Sequence, residues 1–360
     1  MLRVLALAPL LLLLAPDAGS LTISDPGQGA VALAPGVANA HELSALAHDA
    51  GSSWLAVSDS GAGLFSLEVS VDPVSGEITS ASVVAGQTLA AGSDLEGLVL
   101  LANGSVLVSD ESGPAIRRHD PSDGSQLGSV SVPAVYAQAR TNFSLESLAL
   151  RLAPLPADDA LWTANEEALL GDGPLSTNSD GTLVRLQRFD QAFAPDGQWA
   201  YETDPYPGNP FLGAERSGVA DLLALSSGEL LVLERSFSNQ GFRHRLYRVD
   251  FGGATDTTGL ASLETDPHVG VGKTLLFELS SGFANNFEGL ALGPQLDAGD
   301  QSLLLVSDDS NGQSAQSLYA LRIDYAPEPA RPLALAAGLL ALAALPCRAT
   351  RATRPATANR

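Results

Sequence analysis

Between residues 21 and 326 the chain alternates apolar and polar positions over short runs, broken every few residues by glycine, aspartate, asparagine or proline. A period of two over four to eight residues is the signature of a half-buried strand. No segment of this body sustains an apolar period of 3.6 residues. The turns are marked by Asn103-Gly104, Asp123-Gly124, Asp180-Gly181 and Ser227-Gly228, all with residues that tolerate the backbone angles of tight turns. The pattern predicts an all-β protein.

One motif recurs five times: an acidic residue, an apolar alternation, a turn, and a β-rich run ending in polar or acidic residues. The copies begin at Glu42, Glu96, Glu146, Asp221 and Glu288. They lead to Leu55–Asp59, Val106–Glu111, Leu161–Glu166, Leu231–Arg235 and Leu305–Asp309. The leading acids lie 54, 50, 75 and 67 residues apart. Four-stranded propeller blades run about 40–50 residues, so the two longer gaps leave room for inserts or one degenerate blade. The expectation is a β-propeller of six blades, with five to seven compatible with the spacing; a β-sandwich pair is the alternative that the constant motif disfavours.

In a propeller blade the first strand lines the channel and pairs antiparallel with the second. The start of one therefore lies beside the end of the other. Leading and trailing residues are thus expected together at one channel mouth: Glu42 with Asp59, Glu96 with Asp110, Glu146 with Asn165 and Glu166, Asp221 with Glu234, Glu288 with Asp308. Like carboxylates brought close raise each other's pKa or recruit a counter-ion. Oxygen-only donors suit Ca²⁺ or Mg²⁺ over softer metals. The eight candidate metal ligands are Glu42, Asp59, Glu96, Asp110, Glu146, Asp221, Glu288 and Asp308. For any one acid, the alternative is a bond to backbone amides between blades. Arg235, in the acidic cluster of the fourth copy, could pair with a carboxylate or hold a phosphate. His41 beside Glu42 is a further acid/base candidate, and Arg243, Arg245 and Arg248 read as a solvated strand face.

Charge sharpens this picture. The 360 residues carry 19 Lys and Arg against 41 Asp and Glu, a net charge of −22, and Lys273 is the one lysine. Such a chain does not hold nucleic acid by phosphate neutralisation. A single cysteine, Cys347, excludes an intramolecular disulfide and a cysteine-based zinc site. Serine-hydrolase elbows, zinc-protease motifs, P-loops and dinucleotide fingerprints are not found.

Both ends read as processing signals. Residues 1–20 have the order of a secretory signal: Arg3, the apolar run Val4–Leu14, and small residues at Ala18-Gly19-Ser20. Residues 327–360 comprise Pro327-Glu328-Pro329, the 13-residue apolar run Leu333–Leu345, and Arg348, Arg351, Arg354 and Arg360. This order resembles the PEP-CTERM sorting signal of Gram-negative bacteria; a simple tail anchor is the alternative. The resemblance implies export to the envelope or beyond, transient or C-terminal membrane association, and an exosortase as processing partner. The run is short of the ~20 residues of a full span. The body between the signals, 21–326, carries −26.

The body itself resembles the phytase-like family, named for the esterase-like activity of phytase. The likeness rests on Asp94–Leu98 with Val108–Pro114, on Asn142–Leu150 with Trp162–Glu166, on Leu231–Ser236 with Arg245–Asp250, and on Asn286–Leu292 with Leu303–Asp309. It implies a propeller and a Ca²⁺-dependent phosphoesterase acting on a small phosphoester or other ester; a monomer is the expected state. In that scheme Glu166 or Glu234 orients the attacking water and Arg235 holds the phosphoryl group. Scarce basic residues count against inositol hexakisphosphate as substrate. The competing reading is a non-catalytic extracellular propeller that binds exopolysaccharide or an envelope partner; a lactonase-like hydrolase is a third.

Overall fold

The computed structural model describes residues 21–37, 40–151, 159–310, 312 and 314–325. The two proposed processing signals lie outside these residues.

Among the described residues four four-stranded sheets and one five-stranded sheet make up the fold, and each is one blade. Blade 1 holds β3 (Leu43–Ala50), β4 (Ser53–Ser58), β5 (Gly63–Val71) and β6 (Ile78–Thr88). Blade 2 holds β7 (Leu95–Leu100), β8 (Val106–Asp110), β9 (Ala115–His119) and β10 (Gln126–Val130). Blade 3 holds β11 (Ala149–Arg151), β12 (Ala160–Ala164), β13 (Leu183–Phe189) and β14 (Pro195–Glu202). Blade 4 holds β15 (Arg216–Ala224), β16 (Leu230–Ser238), β17 (Gly241–Asp250) and β18 (Gly272–Gly282). Blade 5 holds β19 (Asn286–Gln295), β20 (Gln301–Asp308) and β21 (Ser317–Tyr325), and its outer edge is closed by β1 (Leu21–Ser24). A short β2 (Val31–Ala32) also pairs with β21.

The all-β propeller is as the alternation predicts, and its blade count is five, the low end of the expected range. Among the described residues the long gaps in the repeat hold no sixth blade. They are taken up by the connections at 165–182, 203–215 and 251–271 and by long outer strands such as the 11-residue β18.

The core is distributed between neighbouring blades. Trp54, Phe65 and Leu67 of blade 1 pack with Leu304, Val306 and Leu318 of blade 5. Trp162, Leu186 and Tyr201 of blade 3 pack with Leu222 and Val232 of blade 4. Such sheets are apolar on both faces, which is why the second strands read as near-continuous apolar runs.

At the axis the first strands converge, and at one end three consecutive residues from each line a cavity of about 240 Å³: Leu46–His48, Leu98–Leu100, Leu148–Leu150, Leu222–Ala224 and Leu290–Leu292. These triplets set the register between blades. The strands approach so closely that a Cβ on Gly97 would lie 2.4 Å from the Leu148 amide nitrogen, and one on Gly289 2.6 Å from the Ser44 carbonyl oxygen.

Candidate metal and catalytic centre at the acidic mouth

Counting back two residues from the first member of each triplet gives one position per blade: Ser44, Glu96, Glu146, Ala220 and Glu288. Counting back three gives Leu43, Leu95, Leu145, Val219 and Phe287. These five pair with Ser58, Asp110, Asn165, Glu234 and Ser307 on the second strands or just past them. One residue further along lie Asp59, Glu111, Glu166, Arg235 and Asp308. Their backbones face residues 42, 94, 144, 218 and 286. At this last position four blades carry a carboxylate and the fourth carries a guanidinium.

Side chains one residue apart on a strand point to opposite faces. The mouth therefore receives Glu111 and Arg235, and their neighbours turn elsewhere. Asp110 binds Arg117 of β9 and accepts from the Ser112 hydroxyl at 2.8 Å. Glu234 accepts from the Tyr201 hydroxyl at 2.6 Å, the Asp204 amide at 2.9 Å and Lys273 at 2.6 Å. Asp110 still adds its charge to that of Asp94 at the mouth, whereas Glu234 stands apart from the cluster, held by Tyr201 and Lys273. Asp221 is likewise displaced. It stands in the row of Ala45, Gly97, Ser147 and Gly289, and it accepts the backbone amides of Leu222 at 2.8 Å and of Leu290 in blade 5 at 2.7 Å. That is the backbone-bonding alternative, and burial pushes its carboxyl well above the usual range.

Glu42, Asp59, Glu96, Glu146, Glu288 and Asp308 gather at the mouth, and not all have the expected partners. Glu42, Asp308 and Asp309 each offer an oxygen within 4.8 Å of the others; so do Asp94, Glu96 and Glu111, and again Glu111, Glu146 and Glu166. Asp59 lies between groups. Burial, then the charges of Glu288, Asp308, Glu42 and Asp94, push its pKa up to about 9. One of its oxygens is buried and without a hydrogen-bond partner. Burial, then Glu166, raises Glu111 to about 8. Burial dominates again at Glu288, raised to about 7 although Arg235 opposes the rise. Glu96 and Glu146, both buried, are raised well above the usual range by burial and by their acidic neighbours.

Arg235 is bonded to Glu166 and Glu288, and also donates to Asn286 Oδ1 at 3.3 Å. Burial works against its charge, but Glu288, Glu166 and Glu146 overcome it and hold the guanidinium protonated. Asn286 donates to Glu288 at 2.7 Å and to Asp308 at 3.2 Å. Next to this group His244 accepts the Phe287 amide at 3.0 Å. Burial, then Arg235, lowers its pKa to about 3, so it is a neutral acceptor. Glycine at 218 makes room for Glu166, whose Cγ would be 2.8 Å from an added Cβ. Glu42 itself adopts a left-handed backbone (φ 51°), as do Asn142 and Ser310 on the loops around the mouth. Strained residues of this kind concentrate at functional sites.

His41 is 3.8 Å from Glu42 with a half-exposed ring. Arg243 and Arg245 pair with Glu278, and Arg248 with Glu229; Arg245 is buried and the other two half-buried, so the three do not form the expected solvated face.

Sequence reasoning missed Asp94, Glu111 and Asp309. Aligning the copies on their leading acids shifted blades 1 and 4 out of register. Aligning on the apolar triplets brings Glu111 and Arg235 to the same place.

The cluster offers hard oxygen donors with raised proton affinity, and one of its oxygens lacks any partner. That donor set fits a calcium-type cation. Without a cation it holds protons and repels anions.

The profile of the phytase-like family, described as esterase-like activity of phytase, matches residues 39–311, and the chain belongs to that family. No curated protein is similar enough to match. Among solved structures, a luciferin-regenerating enzyme is 14% identical, with 82% of this chain and 95% of that one covered and a TM-score of 0.37. A protein of unknown function from Bacteroides caccae is 14% identical over 71% of this chain and 65% of its own, TM-score 0.33. The tail fiber of Staphylococcus aureus phage P68 is 12% identical over 82% and 52%, TM-score 0.40. Likenesses this weak carry no functional argument.

Proposed function

We propose that this protein is an exported phytase-like hydrolase, a calcium-dependent phosphoesterase working at the acidic mouth. The observation that carries the reading is the equivalent position of Asp59, Glu111, Glu166, Arg235 and Asp308 around one opening, within a chain of this family. A recurrent acid in successive blades is not needed to cap turns, but it is needed to concentrate donors for a cation.

Glu42, Asp308 and Asp309 would hold one ion; Asp94, Glu96 and Glu111, with Glu146 and Glu288 near them, would hold another. Bound calcium supplies positive charge for phosphate oxygens and acidifies water. In the reaction a water oxygen bonds to phosphorus, the P–O bond to the alcohol breaks, and the departing alkoxide takes a proton from solvent water, to which Glu166 in turn releases the one it removed. Glu166 is the base that takes the water's proton. Arg235 fixes Glu166 through its ion pair and meets the phosphoryl group with a permanent positive charge. Export through the signal at 1–20, sorting of 327–360 by an exosortase and a monomeric state belong to the same reading.

Calcium titration by calorimetry, with p-nitrophenyl phosphate turnover on the same samples, tests it. Chelation abolishes turnover, and Glu288→Gln lowers kcat/KM at least about tenfold, about 1.4 kcal/mol. Full activity after either change sinks the reading. Calcium binding without turnover makes the ion structural and leaves a binding propeller.

A further inference from the structure

We propose that the mouth continues into an apolar subsite on blade 4, which receives the alcohol portion of an ester substrate when that portion is aryl or aliphatic. In blades 1, 2 and 5 the second strand ends at the mouth, at Ser58, Asp110 and Asp308. In blade 4 it runs on past Arg235 to Ser238, and the hairpin it forms with β17 closes only there, with Phe237 opposite Phe242 and Ser238 opposite Gly241. Phe237, two residues beyond Arg235, lies on the same strand face as that guanidinium. The extension therefore stands next to the carboxylates and belongs to no other blade.

What the extension carries is aromatic. Phe237 lies 4.8 Å from Phe242, 6.1 Å from Phe211 and 6.0 Å from Phe283, ring centre to ring centre, and Phe211 and Phe283 are 5.9 Å apart. These are four of the chain's 11 phenylalanines, gathered at one place. Unlike core residues they reach solvent: Phe283 is 58% exposed, and Leu212, which follows Phe211 in the chain, 89%. Opposite Phe237 in register, Arg216 stacks its guanidinium 4.9 Å from the Phe143 ring and has no carboxylate ion pair among the described residues. Phe143 precedes Ser144, whose amide donates to Glu111 of the mouth.

An exposed aromatic patch continuous with a charged opening is the usual make-up of a site for a two-part ligand. The charged part goes to the mouth and the apolar part to the rings. A polyanionic substrate has nothing to gain from phenylalanine, whereas a monoester of an apolar alcohol can use both halves. Naming that half as the ester's alcohol rests on the hydrolase reading above; the apolar subsite itself does not.

The test uses the full-length protein and the double variant Leu212→Ser/Phe283→Ser, at exposed positions where truncation opens no cavity. Line broadening of 4-fluorobenzyl alcohol, followed by fluorine NMR, reports the apolar half without any need for calcium or chemistry. In parallel, kcat/KM is compared for benzyl phosphate and glycerol phosphate in calcium. The expected result is broadening by the wild-type protein that the variant loses. The benzyl-to-glycerol ratio should be about tenfold or more, falling towards one in the variant. No broadening, equal broadening by both proteins, or equal turnover of the two esters by the wild type overturns the subsite. Broadening by the wild type alone, with neither ester turned over in calcium, supports the apolar subsite and overturns the hydrolase reading instead.

Discussion

Asp221 and Glu288 both carry a buried carboxyl on an innermost strand, and the two differ in what surrounds the oxygens. Asp221 is satisfied by two backbone amides, one in the neighbouring blade, so its work is to join blade 4 to blade 5. Glu288 is flanked by Arg235, Asn286 and the other acids, so its work is electrostatic. The expected outcome is a separation of phenotypes. Asp221→Ala costs about 1–3 kcal/mol of stability, because it strands two buried amides, with calcium affinity per folded molecule retained. Glu288→Gln keeps the fold and weakens calcium binding. Denaturant melts read beside calorimetric titrations check both; a loss of calcium affinity in folded Asp221→Ala protein would contradict the assignment.

At the scale of the element, the ring closes through β1. Blade 5 takes its outer strand from the start of the described chain, and the connection is tied down by Tyr319 to Asp25, by Ser24 to Asp324 at 3.2 Å, by Gln28 to both the amide and the carbonyl of Ile78, and by Leu33 to the Gln316 carbonyl at 2.8 Å. Removing residues 21–34 exposes the edge of β21 and the apolar faces beneath it. The thermal midpoint is expected to fall by about 10 °C or more, since each kcal/mol moves a domain of this size by a few degrees. Scanning calorimetry decides it, and an unchanged midpoint would show that β1 does not close the ring. The alternation made the strands themselves readable. The length of β16 was not, because Ser236-Phe237-Ser238 resembles an ordinary strand end, and it is the partners on both sides, Arg216–Ser217 on β15 and Gly241–Arg243 on β17, that keep it paired.

Across the whole molecule the acids act together. Asp59, Glu111 and Glu288 have folded pKa values of about 9, 8 and 7, above their ordinary values near 4. The folded state thus binds more protons than the unfolded chain, and stability falls as pH rises from about 4 through 9. In chelator the melting temperature is expected to be lower at pH 9 than at pH 5. Calcium should raise it most at pH 8–9, where the carboxylates are free to bind the ion, by mass action on the folded state. Differential scanning fluorimetry over that range is the check. A melting temperature that rises with pH in chelator would mean the cluster is already compensated.

The recurrent motif, the apolar alternation and the net charge of −22 were enough to predict a propeller with an acidic mouth, because strand pleating and the match between adjacent blades are local consequences of residue order. Blade number was not decided locally, since a long gap reads alike whether it holds a blade or a loop. Nor was the membership of the mouth. Asp110 and Glu111, or Glu234 and Arg235, are neighbours in sequence and opposites in space, and a slip of one residue in register exchanges them. Only the packing of the innermost strands around the axis, through the apolar triplets and the close contacts at Gly97 and Gly289, fixes that register. The burial that raises the carboxyl pKa values likewise depends on all five blades meeting, so it exists only in the assembled ring.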